Sequence, residues 1–302
     1  MFSDVISLFE QSPAIFYTTI TILGLIIGSF LNVVIYRLPK MMENEWFCEC
    51  RELLVDELKP ADKKLFKTKQ VKEPKILTLS KPASTCPKCG HKIKIIENIP
   101  VISWLFLKGK CSSCTNPISA RYPIIESVSG ILSLVIAMHY DVTVQTLFML
   151  LLTWSLITLT MIDADKMILP DQITLPLVWI GLLLNLNGVF IGLEQAVIGA
   201  VVGYMSLWSI FWMFKLVTGK EGMGYGDFKL FAVFGAWFGW EVLPLLILMA
   251  SLVGAIIGIS LMLFKNHEGS KPIPFGPYLA IAGWITALWG QGIWQWYLGM
   301  LM

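Results

Sequence analysis

The sequence predicts an all-α, polytopic membrane protein of about eight transmembrane helices that carries a small cytoplasmic zinc-ribbon-like insert. Three observations predict it. The 302-residue chain is 56% hydrophobic and only 15% charged, with a mean hydropathy of +0.69, far from the composition of soluble domains. The apolar residues are gathered into stretches near the ~20 residues that cross about 30 Å of hydrocarbon, over 14–36, 122–140, 142–162, 172–193, 196–216, 222–241, 242–264 and 277–299. The basic residues are partitioned: 17 of the 23 lie between Arg37 and Arg121. The other six, Lys166, Lys215, Lys220, Lys229, Lys265 and Lys271, all fall on that same side when eight spans are threaded. The positive-inside rule makes this side cytoplasmic and both termini extracytoplasmic.

Three regions follow: a first transmembrane helix (1–36), a basic cytoplasmic domain (37–121) and a seven-helix membrane domain (122–302). The flank of the first span carries Asp4 and Glu10 and no basic residue, unlike the positive start of a cleaved signal peptide. The 37–121 region holds 17 basic and 9 acidic residues, a net of +8. Its expected partner is the anionic inner leaflet, that is, membrane lipids. No nucleic-acid recognition signature accompanies the charge, so no nucleic acid is expected as a partner. Residues 41–75 read as polar, charged and partly helical. Further on, Cys86-Pro87-Lys88-Cys89 and Cys111-Ser112-Ser113-Cys114 form two CxxC pairs with the spacing of a four-cysteine zinc ribbon. Four thiolates suit a structural Zn2+ and leave no open position for catalysis. Cytoplasmic placement disfavours the alternative of two disulfides. His91 reads as a bystander, and Cys48 and Cys50 as free thiols.

Asp163 and Asp227 each stand where an apolar run meets a polar loop. A carboxylate beside hydrocarbon is costly, which makes each a functional-site candidate. Two that meet from different helices would form the proton-sharing pair of aspartyl proteolysis. The plain alternative is a pair of interfacial caps, and it is the better reading for either acid alone. Asp165 would point about 200° away from Asp163 on a continuous helix, and Asp171, after Pro170, reads as a helix N-cap. The sixth stretch is short, so spanning would draw the glycine-rich 222–227 segment into the membrane. Irregular backbone at that depth survives only in protein or against a water-filled cavity, which puts Asp227 in a wet cleft. Glu126 reads as an interhelical hydrogen-bonding group or a third titratable group. Gly199 with Gly203, and Gly254 with Gly258, read as close helix packing.

Several motifs, in order along nearly the whole chain, resemble the bacterial type IV prepilin peptidases, GxGD-type intramembrane aspartyl proteases that are also N-methyltransferases. They are Gly28-Ser29-Phe30-Leu31-Asn32-Val33-Val34-Ile35-Tyr36-Arg37, the two CxxC pairs, Arg121-Tyr122-Pro123, and Ile162-Asp163-Ala164-Asp165 with Leu169-Pro170-Asp171. Gly224-Tyr225-Gly226-Asp227 and Pro274-Phe275-Gly276-Pro277-Tyr278 complete the set. The resemblance implies that Asp163 and Asp227 are the catalytic pair. It implies cleavage of a short basic leader, after a glycine, from type IV prepilins and from the pseudopilins of type II secretion at the inner membrane. It also implies methylation of the new N-terminal residue with S-adenosylmethionine. The residues alone reveal no methyl-donor site; Gly109 and Lys110, beside Cys111, and the motif of the first span are the candidates.

Two rivals come from other classes. A proton-coupled transporter would also keep acids in wet membrane cavities, but the expected paired repeats are not evident. A membrane-held zinc sensor would explain the cysteines and leave 222–227 without a purpose.

Overall fold

Long apolar runs that leave water can satisfy their backbone groups only within themselves, so they become helices. The computed structural model describes residues 2–57, 77–265 and 273–301. Among these the α-helices are α1 (Phe2–Gln11), α2 (Pro13–Glu57), α3 (Ile102–Phe106), α4 (Arg121–Tyr140), α5 (Val144–Lys166), α6 (Asp171–Asn185), α7 (Leu193–Thr218), α8 (Tyr225–Phe238), α9 (Leu243–Lys265) and α10 (Gly276–Leu301). Each of the eight apolar stretches therefore contains an α-helix, 172–193 only as far as Asn185 and 222–241 over Tyr225–Phe238. Five helical stretches among the described residues are long and apolar enough to cross a membrane: Pro13–Leu53, Arg121–Tyr140, Val144–Lys166, Leu193–Thr218 and Trp240–Ser260.

Two elements differ from expectation. The change from apolar to charged composition at Arg37 is not a helix end: α2 continues through Pro39 to Glu57. Residues beyond Arg37 remain good helix formers, Met42 is buried, and Glu43 is tied to Lys166 of α5 at 2.7 Å. Cys48 and Cys50 lie exposed on this extension. The rest of the 41–75 segment, 58–75, lies outside the described residues. The second difference is where the sixth stretch becomes helical: α8, 14 residues long and about 21 Å at 1.5 Å per residue, already begins at Tyr225 and includes Asp227.

The shortness of α8 is compatible with its surroundings, because nearly all of it is buried, including Phe228, Leu230, Phe231, Val233, Phe234 and Trp237. A helix apolar all round belongs inside protein, and α8 is the centre of the α6, α7 and α10 packing. Asn185, at the end of α6, holds its far end. The Asn185 amide nitrogen donates to the carbonyls of Ala236 and Trp237, and its oxygen accepts from the N–H groups of Phe190 and Ile191. The Trp237 indole donates to Leu177 O at 2.8 Å.

Glycine sets the approach of α7 to α8. A Cβ on Gly199 would strike the Gly235 backbone, one on Gly235 would strike Gly199, and one on Gly203 would come within 2.9 Å of Phe231 O. Gly254, by contrast, faces the Tyr278 ring at 3.2 Å. The other tight contact joins α2 to α4, where a Cβ on Gly28 would lie 2.8 Å from Glu126 Cα and Ser129 Oγ donates to Gly24 O at 2.7 Å.

Gly235→Ala is therefore expected to lower stability by about 1–3 kcal/mol, the cost of overpacking. Gly292→Ala, where a Cβ would meet open space, should be neutral or slightly stabilising. Thermal unfolding in detergent compares the two; an unchanged Gly235→Ala protein would contradict the close-packed account.

Candidate active site and metal centre

Asp163 lies in the last turn of α5, and the helix closes behind it. Met167 takes the left-handed conformation (φ 56°) and returns its N–H to Asp163 O at 2.8 Å. Asp227 lies in the first turn of α8, whose N-cap is Gly224. This refines the expectation of an irregular segment, since Asp227 is already helical and only the residues up to Gly224 are outside the helix. Both acids are buried to 6% exposure.

Each carboxyl is held by one glycine N–H at the start of a helix, where free backbone donors collect. The Gly276 N–H, at the head of α10, donates to Asp163 Oδ2 at 3.0 Å. The Gly224 N–H donates to Asp227 Oδ2 at 3.2 Å. Leu169 lies between the two arms, so that a Cβ on Gly226 would come within 2.7 Å of its Cβ and one on Gly276 within 3.2 Å of its Cδ1. A Cβ on Gly276 would also fall 2.6 Å from Asp163 Oδ2. Glycine at 226 and 276 is what lets three elements close around the pair. Leu169 thus packs against both Gly226, next to Asp227, and Gly276, which holds Asp163. The cap bond uses only one oxygen of Asp227: Oδ1 is buried and has no hydrogen-bond partner among the described residues. A buried acceptor left open is costly and is suited to water or a substrate group.

The neighbouring acids are engaged elsewhere. Asp165 pairs with Arg121 at 2.6 Å and ties α5 to the start of α4. Asp171 is not an N-cap. Pro170 holds that position, and Asp171 is the first helical residue, paired with Lys229 of α8 at 2.6 Å. Glu126 is buried, and its Oε2 accepts the Val101 N–H at 2.7 Å, so it bonds the insert to α4. Gly276 was quoted in a motif but given no role by the sequence; the signal was a glycine followed by proline at a helix start. Arg37 was missed in the same way: it is buried and donates to the carbonyls of Thr78, Leu79 and Pro82.

In the insert, Cys86, Cys89, Cys111 and Cys114 bring four Sγ atoms within 4.8 Å of one another. Cys86 and Cys114 are 3.7 Å apart, close to the ~3.8 Å edge of a tetrahedron with metal–sulfur bonds of about 2.3 Å. Two equivalent turns present them. The N–H of Cys86 reaches His91 O and that of Gly90 returns to Cys86 O; likewise Cys111 reaches Asn116 O and Thr115 returns to Cys111 O. Gly90 and Thr115 take matching positive φ values of 72° and 57°. His91 turns to Glu97 at 3.1 Å. Backbone N–H of Lys94, then Ser112 and His91, hold the Glu97 carboxyl down to about 2. The four sulfurs fit a metal such as zinc. Gly109 has a packing reason of its own: φ is 67°, and a Cβ would lie 2.8 Å from the Trp104 ring.

Two known families match successive parts of the chain. The bacterial peptidase A24 N-terminal domain matches residues 22–140, and the type IV leader peptidase family matches residues 150–259. The chain is similar to the prepilin leader peptidase/N-methyltransferase of Aeromonas salmonicida, 54% identical over 96% of both chains. It is 55% identical to the protein of that name from Aeromonas hydrophila over 95% of both. The one from Pseudomonas aeruginosa is 54% identical over 95% of this chain and 94% of its own. No solved structure matches.

About one zinc per chain is expected in purified protein, and chelation should unfold the insert. Metal analysis with proteolysis of the 77–120 region checks this; a metal-free preparation with an intact insert would contradict it.

Proposed function

The chain belongs to the type IV leader peptidase family, and we propose that it hydrolyses the bond between a short basic leader and the apolar N-terminal helix of prepilins and pseudopilins, with Asp163 and Asp227 as the acid–base pair. The observation that carries this reading is the open, buried Oδ1 of Asp227, on a helix whose Gly226 packs against the same Leu169 as Gly276, the residue that holds the Asp163 carboxyl. Two close carboxyls do not readily both carry charge, so one proton is shared between them.

Hydrolysis then needs no covalent intermediate. The ionised carboxyl takes a proton from water, and the water oxygen bonds to the scissile carbonyl carbon. The protonated partner gives its proton to the carbonyl oxygen. Collapse of the tetrahedral intermediate breaks the C–N bond, and a proton passes to the departing amine. The leader leaves with a new carboxyl group and the mature chain with a new N-terminus.

The basic residues orient the protein in the inner membrane with the insert cytoplasmic and both termini outside. A basic leader is kept on the cytoplasmic side by the same rule. Zn2+ on the four cysteines has a structural role in this reading. Methyl transfer to the new amine is the second activity, with S-adenosylmethionine supplying the methyl group. Of the candidates for contacting that donor, Lys110 is exposed, the face of Gly109 is filled by Trp104, and the first-span motif packs through Gly28 against Glu126.

Asp163→Asn and Asp227→Asn are each expected to lower precursor cleavage by about 10²-fold or more, since each removes a group that must transfer protons. Asp165→Asn and Asp171→Asn break ion pairs of modest worth and should stay within about tenfold of the parent. Cleavage of a purified pilin precursor measures all four. A dead Asp165→Asn beside a normal Asp163→Asn would overturn the assignment.

A further inference from the structure

The insert is the most basic part of the chain, yet most of its segment 95–106 is apolar and turned outward, while Glu97 within it is turned back to Ser112, His91 and the Lys94 N–H. Ile95 is 91% exposed and Phe106 84%, and Ile96, Ile99, Ile102 and Leu105 are exposed with them. Ile102, Leu105 and Phe106 have the i, i+3, i+4 spacing of one helix face, and they belong to α3. Trp104, of the same helix, turns the other way and donates to Ile118 O at 3.1 Å. Exposed patches of this kind mark contact with a partner or a membrane.

The depth of the segment decides between them. Val101 is bonded to Glu126, and Glu126 faces Gly28 across the α2–α4 contact. Arg37, the first basic residue after the apolar run, comes nine residues after Gly28, about 13 Å further along the helix axis. The segment is thus fastened to a residue inward of both levels at which charge begins, five residues from Arg121 on α4 (about 7.5 Å) and about 13 Å from Arg37 on α2. Four exposed lysines, Lys92, Lys94, Lys108 and Lys110, flank it in sequence, as suits anionic headgroups. Backbone at such depth must have its polar groups satisfied. Here the N–H groups of Ser103, Leu105 and Leu107 bond to Ile99, Val101 and Ser103, and Val101, at the head of α3, is served by the Glu126 carboxyl.

We propose that residues 95–106 form an apolar elbow that inserts into the lipid of the leaflet on the insert's side, held at its depth by the bond from Val101 to Glu126. Glu126 is a positioning residue, and the lysines engage anionic headgroups around the elbow. The proposal rests on the reading of the chain as a multi-pass membrane enzyme, but its readout is lipid contact and does not require cleavage.

The test uses the full chain, with its metal, in nanodiscs of phosphatidylglycerol and phosphatidylethanolamine. The photoreactive residue p-benzoylphenylalanine replaces Phe106, whose exposed ring leaves room for the added benzoyl group, or Glu49, an exposed position on the extension of α2. Illumination should give lipid adducts at 106 and none at 49, seen by mass spectrometry. Glu126→Ala should lower the adduct yield at 106 by about tenfold, the scale of one hydrogen bond to a charged group, with the metal content unchanged. Absence of lipid adducts at 106, equal adducts at 49, or adducts only to an added pilin precursor would each overturn the elbow. An undiminished yield in Glu126→Ala would overturn the role of Glu126. Loss of cleavage in a variant that still gives the lipid adduct would bear on the peptidase reading alone.

Discussion

A 14-residue helix cannot cross a bilayer unaided, and the arrangement of α8 answers that constraint. At about 21 Å against a hydrocarbon core of about 30 Å, at least one of its ends must lie inside the slab if it is to serve as a span. Such an end is tolerable only if protein surrounds it. Gly199 and Gly203 let α7 approach to backbone contact, Gly181 admits the Trp237 ring, and Gly283 admits Phe234. Asn185 takes up the backbone groups at one end, and Asp227 caps the other. The same enclosure that makes α8 possible keeps its first-turn carboxyl out of bulk water and leaves one oxygen open.

Asp163 reaches the same place by a different route. It rides on the end of α5, a helix of full spanning length, which stops at Met167. The chain then folds Leu169 against Gly226 while α10 begins at Gly276 on the Asp163 carboxyl. Among the described residues neither acid has a basic partner, and each is oriented by a backbone N–H. Positively charged residues are instead spent on Asp165 and Asp171, whose pairs brace the helices that carry the site. Four neighbouring acids thus divide into two that fix geometry and two that remain chemically available.

Much of this was legible in the sequence because it follows from local rules. Apolar length gave the helices, thiol spacing gave the cysteine cluster, and the spacing of Gly199 and Gly203 gave the closest helix contact. Asp165 could be separated from Asp163 by helical geometry alone. What was not legible depends on contacts between distant segments. The helical extension of α2 past Pro39 is supported by Lys166, 123 residues away from Glu43. Asp171 looked like a cap because Asp commonly caps helices, and only the position of Lys229 shows its other use. Gly276 serves Asp163 across 113 residues, and nothing around residue 276 announces that partner.

The central claim is that two carboxyls sharing one proton carry out the hydrolysis. The pH dependence of kcat/KM for a pilin precursor, measured with the protein in nanodiscs at fixed lipid composition, tests it most directly. A pair in which one member must be ionised and the other protonated gives a bell-shaped profile with two macroscopic limbs. The account predicts that bell, with both limbs unchanged when Asp165 or Asp171 is replaced by Asn. A profile with a single limb, or one that is flat across the range in which the protein stays folded, would contradict it.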